Sequence, residues 1–167
     1  MTRRLQQLAH RQSTRQRAAV NHVPMEIAAA RAKRMSDEDI GMLCSSLERS
    51  LQILRQGQGG ARELEDFERA STVASMIERL GVVRGLTSQI TDCQLAVQSI
   101  KQRQAAGGTS SRALFATEIK ALDEFCFAHR VQLSHLSIGE YVTALKRSAS
   151  QLGPVLQASI NRQLGDF

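Results

Sequence analysis

Three side chains in the C-terminal half of the sequence are of types that bind metal ions. Cys126 and His129 are separated by two residues, and His135 follows a short distance later. Zinc prefers thiolate and imidazole ligands, but a structural zinc site takes four, and the sequence places no fourth ligand nearby. Cys126 and His129 also fall on the apolar face of a predicted helix. We therefore interpret both as core residues and expect no metal or cofactor.

The cysteines are the next candidates for chemistry, as nucleophiles. Cys44, Cys93 and Cys126 each occupy a core position of a predicted helix, and no nucleophile motif surrounds them. Their odd number, wide spacing and lack of a CxxC pair argue against a disulfide framework, which favours the reducing cytoplasm.

Neighbouring carboxylates and glycine-rich turns complete the survey of catalytic patterns. The pairs Asp37/Asp39, Glu65/Asp66 and Asp123/Glu124 are typical of exposed helix surface or helix caps. The stretches Gly57-Gln58-Gly59-Gly60 and Gly107-Gly108 lack the Lys-Ser/Thr of a phosphate-binding loop and follow no predicted strand. We identify no catalytic residue and expect a protein that is not an enzyme.

Charge is distributed unevenly along the chain, which carries 22 Lys+Arg and 16 Asp+Glu in all. Residues 1–35 hold eight cations and one anion, Glu26, a balance of 8 − 1 = +7, whereas 36–167 hold 14 cations and 15 anions, a balance of −1. Arginine forks match phosphate oxygens, so this asymmetry predicts contact with the nucleic-acid phosphate backbone. The candidate nucleic-acid-binding residues are Arg3, Arg4, Arg11, Arg15, Arg17, Arg31, Lys33 and Arg34.

Composition limits the class of protein. The 167 residues are 42% hydrophobic and 23% charged, with two prolines and 11 glycines, which is ordinary for about one globular domain and unlike a low-complexity chain. No stretch approaches the roughly 20 apolar residues of a membrane span, and no apolar run follows Met1, so neither a membrane anchor nor a secretory signal is expected. No aromatic residue falls among the N-terminal arginines, which disfavours base stacking with single strands.

Apolar residues recur at spacings of three and four, and no segment alternates with period two, which predicts an all-α fold. We expect a bundle of about five to six helices (36–167) behind a basic N-terminal extension (1–35), with a candidate linker at 104–113. Ser36 and the pair Ser137/Glu140 have the pattern of helix caps. The predicted helices cover 25–34, a stripe from Ile40 to Leu54, 61–80, 86–103, 117–130, 138–151 and a short segment after Pro154.

The last two long helices invite comparison with the helix-turn-helix motif. That motif has a connection of three or four residues, whereas 131–136 are predicted to connect these helices. A recognition helix contacts bases through its N-terminal residues, but here the cations Lys146 and Arg147 lie near the C-terminal end. The match to the motif is therefore weak.

Two stretches carry a resemblance. Both resemble uncharacterised small helical proteins of proteobacterial plasmids and integrative elements. The stretches are "TEIKALDEFCFAHRVQLSHLSIGEYVTALKR" (117–147) and "LERSLQILRQGQGGARELEDFERASTVASMIERLG" (47–81). Some of these proteins are likened to small nucleoid regulators. The resemblance rests on helix patterning and implies no functional residue.

Three classes of function follow. The first is a cytoplasmic accessory or regulatory protein that binds nucleic acid through its Arg-rich N-terminal segment. The second is a helical interaction module, an adaptor or inhibitor of a host system, whose basic segment docks on an acidic protein or a second copy of the chain, so that a homodimer is an open alternative. The third is a metal protein or enzyme that uses Cys126, His129 and His135.

Overall fold

The computed structural model describes residue 25, residues 28–107 and residues 113–149. The predicted all-α class is confirmed: these residues form helices joined by short connections, with no β-strand among them. The helices with defined bounds are α1 (Asp37–Arg55), α2 (Ala61–Arg79), α3 (Thr87–Ala106), α4 (Ala116–Ser134) and α5 (Ile138–Ala149). None of the helices in the described part is long and apolar enough to cross a membrane.

Helices α1 to α4 form a closed four-helix ring. Each packs against the next along the chain, and α1 also packs against α4, while α2 and α4 lie diagonally and touch little. Short connections make sequential neighbours antiparallel, as in up-down bundles. Helix α5 leaves this ring and packs mainly on α2.

Capping boxes begin α1 and α5; the sequence predicted the one at Ser137 and Glu140, and at α1 it predicted the cap by Ser36. Ser36 Oγ accepts a hydrogen bond from the Asp39 amide at 3.1 Å, and the Asp39 carboxylate accepts one from the Ser36 amide at 3.1 Å. Glu140 likewise accepts from the Ser137 amide at 2.8 Å, while Ser137 Oγ accepts from the Glu140 amide. These bonds satisfy amides that a helix start otherwise leaves unpaired.

The core has two parts. The first fills the ring and draws its side chains from all four ring helices; its largest fully buried members are Leu54, Leu64, Phe67, Ile100, Leu122 and Phe125. The second part closes one end of the ring, where α5 packs across it; it contains Met35, Ile40, Cys44, Met76, Ile77, Leu133, Leu136, Tyr141 and Leu145.

The predicted connection at 131–136 is wrong. Helix α4 continues to Ser134, which leaves only residues 135–137 between α4 and α5. The extension is stabilised by tertiary contacts, because Leu133 is fully buried and the Gln132 side-chain amide donates to the Ala74 carbonyl at 3.0 Å. The connection therefore has the length of a helix-turn-helix turn.

The first predicted helix, 25–34, ends earlier than expected. Residues 28–32 are helical, but the chain bends at Lys33 and becomes extended. The predicted linker, 104–113, starts too early, because α3 continues to Ala106. Its positions 108–112, the end of the predicted helix 138–151 and the segment after Pro154 lie outside the described residues.

Candidate nucleic-acid interface

An extended segment, residues 33–35, pairs with the connection between α4 and α5. The Met35 amide donates to the Leu136 carbonyl at 3.0 Å, and the Ile138 amide donates to the Lys33 carbonyl at 2.9 Å. Arg34 and Ser137 form the antiparallel bridge between these two bonds. The pairing attaches two of the predicted phosphate-binding residues, Lys33 and Arg34, to the folded body.

Met35 fixes this segment from the inside. The charge boundary in the sequence groups it with the basic extension, yet its side chain is only 6% exposed and belongs to the core beneath α5. Removing residues up to 35 would therefore remove a core side chain together with the cations.

The cations on this segment, and Arg31 just before it, point to solvent. Arg31, Lys33 and Arg34 are all exposed, and within the described ranges none forms an ion pair. The acidic residues that follow these cations in the sequence lie in the first turn of α1. There the side chain and amide of Ser36 donate hydrogen bonds to Asp39 and hold its pKa below the ordinary value, and the charge of Lys33 lowers it by a smaller amount. Three cations thus remain available to an external anion.

Gly139 joins this segment to the outer face of α5. A Cβ on Gly139 would lie 2.9 Å from the Arg31 carbonyl oxygen, so the Arg31 backbone rests directly on this face. Lys146 lies two turns further along the same face, about 12 Å from the start of the helix at 1.5 Å per residue. Thr143, which lies between them, and Lys146 are both exposed.

We call the resulting surface the basic strip. It runs from the extended segment along the outer face of α5 to the last helical turn. Its members are Arg31, Lys33, Arg34, Lys146 and Arg147. The sequence predicted the first three; it missed the connection to Lys146 and Arg147, because only the Arg31–Gly139 contact brings the two groups to one surface. The remaining predicted residues, Arg3, Arg4, Arg11, Arg15 and Arg17, lie outside the described residues.

Residues 31–35 cover the first turn of α5, and this limits the contacts that α5 can make with the bases of a nucleic acid. Ser137 to Glu140 are all half-buried, because residues 31–35 lie against them. A recognition helix needs these N-terminal positions free to enter the major groove. The geometry therefore suits contact with phosphates better than contact with base edges.

The contact at Gly139 yields a stability prediction. Gly139→Ala places a methyl group against the Arg31 backbone, so we expect the free energy of unfolding to fall by about 1 kcal/mol. Gly41 in α1 is the matched control: nothing lies within 4 Å of its Cβ position, and Gly41→Ala should stabilise by about 0.5–1 kcal/mol through helix propensity. Urea denaturation measures both, and equal stabilisation by the two changes would contradict the close approach of Arg31.

The candidate metal ligands do not converge. Cys126 lines a groove between α1 and α4, His129 is buried and stacks on Phe125, and His135 is an exposed C-cap. In the part of the chain that the structure describes, no group of three His, Cys, Asp or Glu side chains could hold a metal ion.

The three thiols are free and poorly suited to nucleophilic chemistry. Burial raises the pKa of Cys44 and of Cys93 above the ordinary value, and it raises the pKa of Cys126 to about 12. The thiolate, which is the reactive form, is therefore disfavoured at neutral pH.

A buried polar cluster surrounds His129. Gln132 donates its amide to the Ala74 carbonyl, so its oxygen accepts from His129 Nδ1 at 3.0 Å. His129 also lines a cavity of about 30 Å³, shared with Asp66 and Tyr141, which has room for about one water molecule. Burial lowers the pKa of His129 to about 4, against a smaller opposing effect of the bond to Gln132.

In each of the three pairs of neighbouring carboxylates, at least one member makes a structural contact. Asp39 caps α1, Asp66 accepts from Ser50 and pairs with Arg69, and Asp123 pairs with Arg55 of α1. Each of these three is hydrogen-bonded or ion-paired to a neighbouring helix or to its own turn.

The comparisons with known proteins give no relative. No family model, no curated protein and no solved structure matches the chain. The candidate function therefore rests on the geometry and charge of the residues themselves.

Proposed function

We propose that this chain is a cytoplasmic, non-enzymatic accessory or regulatory protein that binds the phosphate backbone of nucleic acid. The basic strip makes the contacts on the folded body, and the arginines at positions 3, 4, 11, 15 and 17 extend them. The observation that carries the proposal is the exposure of Arg31, Lys33 and Arg34, without ion pairs in the described ranges, on a segment held against α5.

Charge supports this function over a purely structural role. The first 35 residues carry a balance of +7 and the remainder −1, so the excess positive charge lies in the part of the sequence that contains Arg31, Lys33 and Arg34. A concentrated positive surface attracts a polyanion by releasing its counterions, whatever the base sequence. The covered first turn of α5 favours binding of this sequence-independent kind.

Salt titration of binding tests the proposal. A labelled DNA duplex and an RNA of the same length should both bind the full chain at low salt, and the affinity should fall steeply as salt rises. The triple variant Arg31→Gln, Lys33→Gln, Lys146→Gln should bind about tenfold or more weakly, and its slope of log K against log salt should fall by about 2–3, or about 0.9 per lost phosphate contact.

The control removes the same charge elsewhere. Arg49, Arg62 and Lys120 are exposed on α1, α2 and α4, away from the strip. Their replacement by glutamine changes the net charge equally and should leave most of the affinity. Replacing the five N-terminal arginines by glutamine in the full chain measures their separate share. Equal loss in both triple variants, or no binding by the unmodified protein at low salt, would overturn the proposal.

A further inference from the structure

The outward face of α4 carries an apolar ridge. Phe127 is 72% exposed at its centre, and Val131, one turn further along, is 39% exposed. A groove of about 600 Å³ separates this ridge from α3, with Leu86 and Ala128 in its wall, and a second groove of about 280 Å³ separates it from α1. We call this surface, with Phe127 between the two grooves, the Phe127 face.

Charges of opposite sign flank Phe127 along α4. Asp123 and Glu124 lie one turn before it, and Arg130 lies one turn after it. Residues three and four apart share a helix face, so acid, phenyl ring and base form one row. The row is negative at one end and positive at the other.

The row on one copy is complementary in charge to the same row on a second copy that runs in the opposite direction. In a two-fold antiparallel pairing of α4 helices centred on Phe127, the two phenyl rings meet, and Asp123 and Glu124 of one copy face Arg130 of the other. An isologous interface of this kind satisfies both ends at once.

The neighbouring helix α1 follows the same pattern. Arg55 pairs with Asp123, and Glu48 pairs with Arg130 at 3.2 Å. The two-fold pairing brings each of these exposed ion pairs against the reversed pair of the second copy, so that every charge meets its opposite. A partner with one sign of charge would meet both signs at each end of the row, whereas a second copy presents the reversed ion pairs, which favours a second copy.

We propose that the Phe127 face is a homodimer interface, with two α4 helices packed antiparallel about Phe127. Lys146 and Arg147 of the basic strip lie on α5, which packs on α2, diagonal to α4 in the ring, so the dimer leaves this part of both strips uncovered. This inference stands independently of nucleic-acid binding.

Sedimentation velocity of the full chain at about 1 to about 200 μM tests the oligomeric state. The interface is small, so we expect a concentration-dependent dimer with a dissociation constant on the order of micromolar. Phe127→Glu should weaken the dimer about tenfold or more, since aromatic side chains at interface centres dominate binding. Met42→Glu is the matched control: Met42 is 63% exposed on α1, outside this row, and the change should leave the dimer intact.

A charge-swap mixture tests the antiparallel register. Asp123→Arg alone sets two guanidinium groups together at each end of the pairing, and Arg130→Asp alone sets carboxylates together, so each single variant should be mainly monomeric. An equimolar mixture of the two variants restores opposite charges across the interface and should form a heterodimer. Three results would each overturn the proposal: a monomer at every concentration, a dimer unaffected by Phe127→Glu, or a mixture of the two charge variants that stays monomeric. Circular dichroism verifies that the variants are folded.

Discussion

Arg103→Met should lower the free energy of unfolding by about 3 kcal/mol, because it leaves a buried carboxylate without its partner. Glu118 is 5% exposed and accepts two bonds from the Arg103 guanidinium, at 2.8 and 2.7 Å. Ser99 Oγ and the Phe115 amide also donate to Glu118, and the guanidinium lies 4.2 Å from the centre of the Phe115 ring. Urea denaturation measures the loss.

An exposed ion pair on the same helix as Glu118 provides the control. Lys120 and Glu124 are 3.7 Å apart and largely solvent-exposed, so Lys120→Met should cost no more than a few tenths of a kcal/mol. The double variant Arg103→Met, Glu118→Leu should recover part of the loss, because no unpaired charge then remains. A loss for Arg103→Met as small as that for Lys120→Met would contradict the role of the pair.

Acid should weaken the same contact. Burial alone would raise the pKa of Glu118, but the hydrogen bonds from Arg103, Phe115 and Ser99 lower it below the ordinary value of 4.5. The group thus contributes stability above pH 4.5, and that contribution is lost as the pH falls through the lower value of the folded state.

The second large effect is a pH dependence that comes from His129. Burial lowers its pKa from 6.5 to about 4, so between these values the unfolded chain binds the proton and the folded chain does not. Stability therefore rises with pH across this window, and the contribution present above pH 6.5 is lost as the pH falls to 4. The loss amounts to about 3 kcal/mol at 1.36 kcal/mol per pKa unit.

Comparison with a variant isolates this contribution. His129→Phe keeps the stacking on Phe125 but loses the bond to Gln132, so it should be less stable at neutral pH and lack this part of the pH dependence. His135→Gln changes an exposed histidine and should follow the unmodified protein. Parallel curves of unfolding free energy against pH for the unmodified protein and His129→Phe would exclude the buried, neutral imidazole.

The helices were predictable because each has an apolar stripe that the core needs. The residues at which the helices end were less predictable. Helix α4 continues past Arg130 because Gln132 finds the Ala74 carbonyl on another helix, a partner that no local pattern reveals. The buried pair Arg103–Glu118 was missed for the same reason, since its partners come from two helices.

The residues of the candidate sites were also only partly predictable from the sequence. Arg31, Lys33 and Arg34 stand out in the sequence as charge, but their place beside α5 depends on backbone pairing between remote segments. Phe127 is the reverse case: its neighbour Cys126 was assigned to the core, and only the packed structure distinguishes the phenyl ring that faces solvent.

The pairing of residues 33–35 with 136–138 has a consequence for biosynthesis. The first of these segments leaves the ribosome long before the second, so it cannot dock until α4 and α5 have been made. Contacts between remote parts of a chain form slowly, because the intervening loop must close first. Lys33 and Arg34 therefore stay unanchored on the nascent chain, and their docking marks the completion of the end of the bundle that α5 closes.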